Sequence, residues 1–208
     1  MIIPMKTLFP LLCALALSVS KAVAADSGID PQGYIRDWVM LAPIPLPEGP
    51  PAGDLLLRDQ VPDEASLKPK DGDKVRIRDR ELVWRNVTAK TNYVDINAAL
   101  ESIYDRSAGY LVAYVECSEE IPNVMMSVAS NDQGRIYFNG KDIYAFTEAR
   151  TLMLDGDKGK VTLKQGVNVI VFKIINEQNS WQGAMRLTDL AGKPLKNVRV
   201  RRTPTPAP

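Results

Sequence analysis

Downstream of residue 80 the chain repeats one pattern: a short run rich in Val, Ile, Leu, Tyr or Phe, then Gly, Asn, Asp or Ser, with a turn signal about every 8–12 residues. Short β-rich runs at that spacing predict an all-β domain, a sandwich or a barrel, because each run is long enough for a strand and too short for a helix. The predicted strands are 81–84, 93–96, 109–117, 124–129, 135–138, 141–144, 160–163, 167–175, 183–187 and 198–200. Residues 98–104 read as one or two helical turns. Asn139-Gly140 stands between two β-rich runs, and both central positions of a type I′ turn need positive φ, so a hairpin is predicted there. The run Val167-Asn168-Val169-Ile170-Val171-Phe172 is apolar on both alternating faces apart from Asn168, the mark of a strand covered on both sides in the middle of a sheet. Lys164-Gln165-Gly166 is expected to join it to 160–163 as a strand pair.

Upstream the pattern differs. Tyr34 to Leu41 reads as the first strand, with Trp38 filling the core. Pro43, Pro45, Pro47, Pro50 and Pro51 follow. Proline fixes φ and lacks an N–H, so this stretch is expected to be neither helix nor central strand and to cross the surface as an extended connector. From Gly53 to Asp73 the chain stays polar and reads as a long ordered loop with one short helical turn. The first residues, from Met5 through Leu17 to Ala22-Val23-Ala24, combine a basic start, a short apolar run and a small-x-small ending. This is the pattern of a secretory signal, read as 1–24, with an uncleaved anchor as the alternative. The domain is then one β-sandwich over 25–201, and Arg202 to Pro208 is expected to be a disordered Pro-rich tail.

Composition narrows the chemistry. The 208 residues carry 26 Lys+Arg against 25 Asp+Glu and no histidine. Imidazole-dependent nucleophiles and most catalytic zinc sites are therefore excluded, which leaves carboxylate chemistry, Ser-Lys chemistry, oxygen-ligand calcium or none. The charge balance argues against a nucleic-acid partner. Without 1–24 the balance is 24 against 25 and Cys117 is the single cysteine, so the fold stands on its core rather than on a disulfide. Its strand context makes Cys117 a small core residue. Asp155-Gly156-Asp157-Lys158-Gly159 has oxygen ligands at loop spacing, but Gly166 occupies the position where an EF-hand needs its bidentate glutamate. No metal or cofactor is predicted, with a structural calcium left open.

The order of these signals resembles secreted bacterial modules with a galactose-binding-like jelly-roll sandwich. The resemblance rests on Tyr34-Ile35-Arg36-Asp37-Trp38-Val39-Met40-Leu41-Ala42-Pro43, on Ser130-Asn131-Asp132 with Arg135-Ile136-Tyr137-Phe138-Asn139-Gly140-Lys141, on Leu163 to Lys173, and on Trp181-Gln182-Gly183. Together these span Tyr34 to about Arg201. Ala42 stands where those modules usually have glycine, and Asn131 where they have the first aspartate of a pair. The resemblance implies a two-sheet antiparallel jelly roll, in which the long Pro-rich loop read from this chain's own prolines follows the first strand. It also implies work beside polysaccharide-degrading enzymes and, in many relatives, a glycan ligand.

A sugar site needs an exposed ring beside side chains that bond hydroxyls. Trp181, in the polar stretch from Asn176 to Gln182, is the candidate ring, and the competing placement is the end of the core. Asn179 and Glu177 beside it, and Asn131, Asp132 and Arg135 in the turn before the hairpin, are the candidate polar partners. A self-capping turn at Asp132 is the competing structural role. The sequence-level function is an exported, secreted or periplasmic, non-catalytic carbohydrate-binding module. A protein-interaction sandwich without a sugar site is the first alternative. The second is a small glycosidase using two carboxylates.

Overall fold

The computed structural model describes residues 27–204. The signal-like segment 1–24 and residues 205–208 of the tail lie outside the described residues. The elements are β1 (Ser27–Gly28), β2 (Asp37–Pro45), α1 (Ala52–Leu56), a 3₁₀ turn (Glu64–Ser66), β3 (Lys74–Ile77), β4 (Arg80–Val83), β5 (Arg85–Thr88), β6 (Val94–Asp95) and α2 (Ile96–Leu100). They continue with β7 (Ser107–Cys117), β8 (Ile121–Asn131), β9 (Gln133–Phe138), β10 (Lys141–Phe146), β11 (Asp157–Leu163), β12 (Gly166–Asn176), β13 (Gln182–Thr188) and β14 (Val198–Arg201).

Two antiparallel sheets result. One has the order β1-β14-β7-β12-β9-β10, with β2 on the flank of β7 and β5 on β2; the other has the order β11-β8-β13-β6. The fold is therefore all-β, as the turn spacing predicts. Asn139 and Gly140 both have positive φ, 50° and 79°, and close the β9–β10 hairpin. β12 lies between β7 and β9 and is buried along nearly its whole length. The predicted pairing of 160–163 with 167–175 is not made: β11 belongs to the second sheet and β12 to the first. Lys164 and Gln165 instead carry the chain across the sandwich, and the Asn168 side chain accepts from the Lys164 amide at 2.9 Å and donates to its carbonyl at 2.8 Å.

Alternation along the strands builds two cores. Trp38, Leu111, Phe172, Ile174, Trp181 and Leu187 fill the space between the sheets. Val39, Leu41, Tyr110, Val112, Tyr114 and Val171 face the other way, and a second apolar layer covers them: Leu46, Leu55, Leu56, Val61 and Trp84. That cover is the proline-rich and polar stretch, and it departs from a surface connector in two respects. β2 runs through Pro43 to Pro45, because the register shift between Leu41 and Ile44 lets a residue without an N–H sit where no ladder bond is due. The following segment then folds back as α1, the 3₁₀ turn and the β3–β4 hairpin, which is a two-stranded sheet of its own.

The cover is fixed by a buried charge. Tyr110, Lys173 and Arg135 stand in register on neighbouring strands and point at the cover. Lys173 is fully buried, and so is Glu64 of the 3₁₀ turn. The Lys173 ammonium donates to Glu64 Oε2 at 3.0 Å and to the carbonyls of Leu56 and Arg58 at 2.9 and 2.6 Å. Tyr137 donates to Glu64 Oε1 at 2.5 Å, Tyr110 donates to Oε2, and the Arg135 guanidinium lies 3.7 Å from Oε1. A lone buried carboxylate or ammonium would be strongly unfavourable; here every partner is supplied. Tyr114 adds a further tie, donating to the Pro69 carbonyl at 2.5 Å.

Glu64→Ala leaves Lys173 buried without its counter-ion and is expected to lower stability by about 3–5 kcal/mol in urea titrations. Pairing Glu64→Leu with Lys173→Met is expected to recover most of that loss. Burial, reinforced by the Glu64 charge, raises the phenols of Tyr110 and Tyr137 above their usual value of 10, and burial with the Asp73 charge does the same for Tyr114. Folding therefore favours the protonated phenols, and their contribution is whole below pH 10 and declines above it. Burial holds Lys173 below 10.5, against the pull of Glu64, which works in the opposite sense but is complete once the unfolded lysine has lost its proton. The urea midpoint is accordingly expected to fall steadily above about pH 10.5.

Candidate functional site

One end of the sandwich gathers the loops that follow β2, β8, β10 and β12 and those that precede β7, β9 and β13. Asp95 caps α2 by accepting from the Ala98 amide at 2.9 Å, and Glu101, with φ 54°, ends the helix and turns the chain into the rim loop 101–106. Tyr104 is held from both sides. Its amide donates to Asn97 Oδ1 at 3.2 Å, and its carbonyl accepts from Asn176 Nδ2 at 2.8 Å. Asn97 Nδ2 reaches the Asn179 carbonyl at 2.6 Å, and the Asn179 amide donates to Asp105 Oδ1 at 2.9 Å. Arg106 completes the frame, donating to the carbonyls of Pro47 at 2.6 Å and Pro50 at 2.9 Å.

On this frame Ile103 and Tyr104 project outward, 69% and 36% exposed. Glu48, Glu101, Asp105 and Glu177 are exposed around them. The rim is thus an apolar tip with one aromatic ring, set among carboxylates and the amides of Asn97 and Asn179. Tyr104 was not singled out in the sequence. It lies where a helical turn is predicted, and only the cap at Glu101, a positive φ in a non-glycine residue, makes the turn stop early and present the ring.

Of the residues named from the sequence, the structure gathers Asn131, Asp132, Glu177 and Asn179 at this end. Asn131 pairs with Gln182, and Asp132 Oδ2 accepts from the Glu177 amide at 2.9 Å. Glu177 Oε1 in turn accepts from Gln133 Nε2 at 2.5 Å. These contacts brace the two loops against each other. Trp181 is different: it is fully buried, packed so close to β7 that a Cβ on Gly109 would lie 2.8 Å from its ring. Residues 177–180 before it are exposed, while the indole itself packs in the inter-sheet core, so this ring is not available to stack on a ligand. Arg135 is also elsewhere. Alternation along β9 turns Gly134 and Ile136 inward and Arg135 with Tyr137 toward the cover, where Arg135 bonds Asp142 at 2.7 Å and the Leu57 carbonyl at 2.9 Å.

The Asp155 to Gly159 loop is closed by arginines. Asp155 Oδ2 takes Arg186 at 2.8 Å, and Asp157 Oδ2 takes Arg150 at 2.5 Å and the Tyr144 hydroxyl at 2.6 Å. Burial would raise the Asp157 carboxyl, but the bonds from Tyr144 and Arg150 outweigh it and hold the group below its usual range. Arg150 also reaches Ser130 and stacks on Phe146 at 3.8 Å, so this cluster clasps the open edge between the two sheets. At the other end of the sandwich a cavity of about 500 Å³ is lined by Glu116, Ser118, Lys196, Asn197 and Arg199, with no aromatic ring among them.

Partial burial, with the Glu177 charge adding to it, raises the Asp132 carboxyl against the bonds it accepts from backbone amides. A raised carboxyl contributes stability in its protonated form, whole below its unfolded value of 3.8 and lost as the pH rises. Asp132→Asn keeps an acceptor for the Glu177 amide without the charge. Its urea midpoint is expected to equal or exceed the wild type at pH 7, with the difference closing toward about pH 3; a clear loss at pH 7 would show that the charge itself holds the loop. The chain matches no family model, no curated protein and no solved structure.

Proposed function

We propose that this chain is a non-catalytic glycan-recognition module whose site is the rim around Tyr104. The observation that carries the reading is the exposed tyrosine ring at a position whose backbone amide and carbonyl are pinned by Asn97 and Asn176. A ring carried on a fixed backbone stacks on the apolar face of a sugar without the cost of ordering the loop that presents it, while nearby carboxylates and amides bond the hydroxyls. Asp105, Asn97 and Asn179 are the polar partners at hand, and Asp132 with Glu177 borders them. The same reading takes the two sheets as a galactose-binding-like jelly roll. The Asn139-Gly140 hairpin and the Asn168 tie to Lys164, both part of the sequence resemblance, support that topology. The signal-like start supports placement outside the cytoplasm, and a polysaccharide-degrading enzyme is the natural companion.

The carboxylate pair favours binding over hydrolysis. Asp132 and Glu177 meet through a backbone amide of one and a side-chain amide beside the other, which engages one oxygen of each in bracing rather than aiming both across a cleft. A scaffold role for protein partners draws on Ile103, the most exposed large apolar side chain of the rim.

Screening the chain without residues 1–24 on immobilised polysaccharides is expected to retain it on at least one neutral or acidic glycan. Tyr104→Ala is expected to weaken that retention by about tenfold, corresponding to about 1.4 kcal/mol, with the urea midpoint little changed. Tyr104→Phe should hold most of the affinity. Absence of retention on every glycan, or equal retention by Tyr104→Ala, would contradict the rim site.

A further inference from the structure

At the end of the sandwich away from Tyr104, the last residues of β7 meet the first of β14 around the cavity of about 500 Å³. Cys117 and Val198 are paired there, and both are buried in the inter-sheet core. Alternation therefore turns the next pair, Glu116 and Arg199, to the opposite face, with their Cβ atoms about 5 Å apart. Lys196 and Asn197, just before β14, and Ser118, just after β7, complete the polar wall. A cavity of this size falls within the range of small-molecule sites, about 300 to 1,000 Å³.

The polar groups of this wall are uncommitted. At the rim, Asn97, Asp105 and Asn176 are engaged in holding loops together. Here the side chains of Ser118, Lys196, Asn197 and Arg199 make no hydrogen bond or ion pair among the described residues. Glu116 is held through Oε2 by Arg201 at 3.4 Å, which matches its charge and leaves Lys196 and Arg199 as a positive surplus. Glu119 and Glu120 follow in the turn between β7 and β8 but do not line the cavity.

The balance of donors and acceptors selects the ligand. A guanidinium presents a planar fork of N–H donors and an ammonium three more, and neither accepts a bond. Two such groups on one wall fit a carboxylate, the acceptor with which they form their strongest hydrogen bonds. Asn197, Ser118 and the second oxygen of Glu116 add groups that donate to or accept from hydroxyls. No aromatic ring lines the cavity, so nothing there stacks on an apolar face. An inorganic anion would satisfy the two cations and leave most of the volume unfilled. We infer that this cavity binds a small polyhydroxylated carboxylate, a sugar acid, whose carboxylate is held by Arg199 and Lys196 and whose hydroxyls are held by Ser118, Asn197 and Glu116. The site is independent of the Tyr104 rim, and either stands if the other fails.

The test is calorimetric titration of the chain without residues 1–24 with galacturonate, galactose and inorganic phosphate at matched ionic strength. Expected is saturable binding of galacturonate, tighter than either galactose or phosphate by about tenfold or more. Raising the salt should weaken it, because Lys196 and Arg199 are exposed. Arg199→Gln and Lys196→Gln are each expected to lose about fivefold or more in affinity for galacturonate with the urea midpoint unchanged, and Tyr104→Ala to lose none. Should Arg199→Gln lower the midpoint, Lys196→Gln, which lies outside the strands, decides the matter. No binding of galacturonate, equally tight binding of galactose or of phosphate, or unchanged affinity in both charge variants would overturn the inference.

Discussion

Lys173 and Arg135 are directly opposite one another on adjacent strands, both pointing out of the inter-sheet core. Like charges so placed repel, and burying them would be prohibitive without an acid between them. Glu64 is that acid, and it comes from the covering segment rather than from the sheet. The sheet face and its cover are thus halves of one electrostatic unit. The apolar contacts of Leu55, Leu56, Val61 and Trp84 supply the burial, and the carboxylate sets where the cover sits.

Seating the cover has a consequence at the rim. It fixes the path of the chain from Pro45 to Arg85, including Pro47 and Pro50, whose carbonyls receive Arg106 and thereby anchor the rim loop that presents Tyr104. It also determines which face of the β3–β4 hairpin is turned to solvent, since Val75, Ile77 and Leu82 pack on the cover's apolar layer.

Local signals were legible where a short-range rule decides the structure. Asn139-Gly140 needs only its own φ preference to close a hairpin, and the unbroken apolar run of β12 needs only burial on both faces. Features that depend on residues far apart in the chain were not. Trp181 lies in a polar neighbourhood of sequence, and its burial is decided by the absence of a side chain at Gly109, distant in sequence. Arg135 reads as part of the turn it follows, but alternation along β9 sends it to the face where Glu64 waits. The proline-rich stretch argues against a helix or a central strand, yet β2 runs through Pro43 to Pro45, and the prolines say nothing of the sheet face that the following segment covers. Glu64 itself sits in a polar run, and nothing nearby marks it as buried. The strand pair across Lys164 and Gln165 failed for a related reason: a short connection between two strands fits both a hairpin and a crossing between sheets, and Asn168 decides between them through its bonds to Lys164.

Native-state hydrogen exchange tests the seating of the cover most directly. The amides of Leu55 and Ser66, bonded to the Pro51 and Asp63 carbonyls, report on the cover, and those of β7 and β12 report on the sheet beneath. If Glu64 joins the two into one unit, both sets exchange with the free energy of global unfolding. Exchange at Leu55 and Ser66 at the rate of an open loop, while β7 and β12 stay protected, would show that the cover is a detachable strap and that the buried ion pair does not hold it.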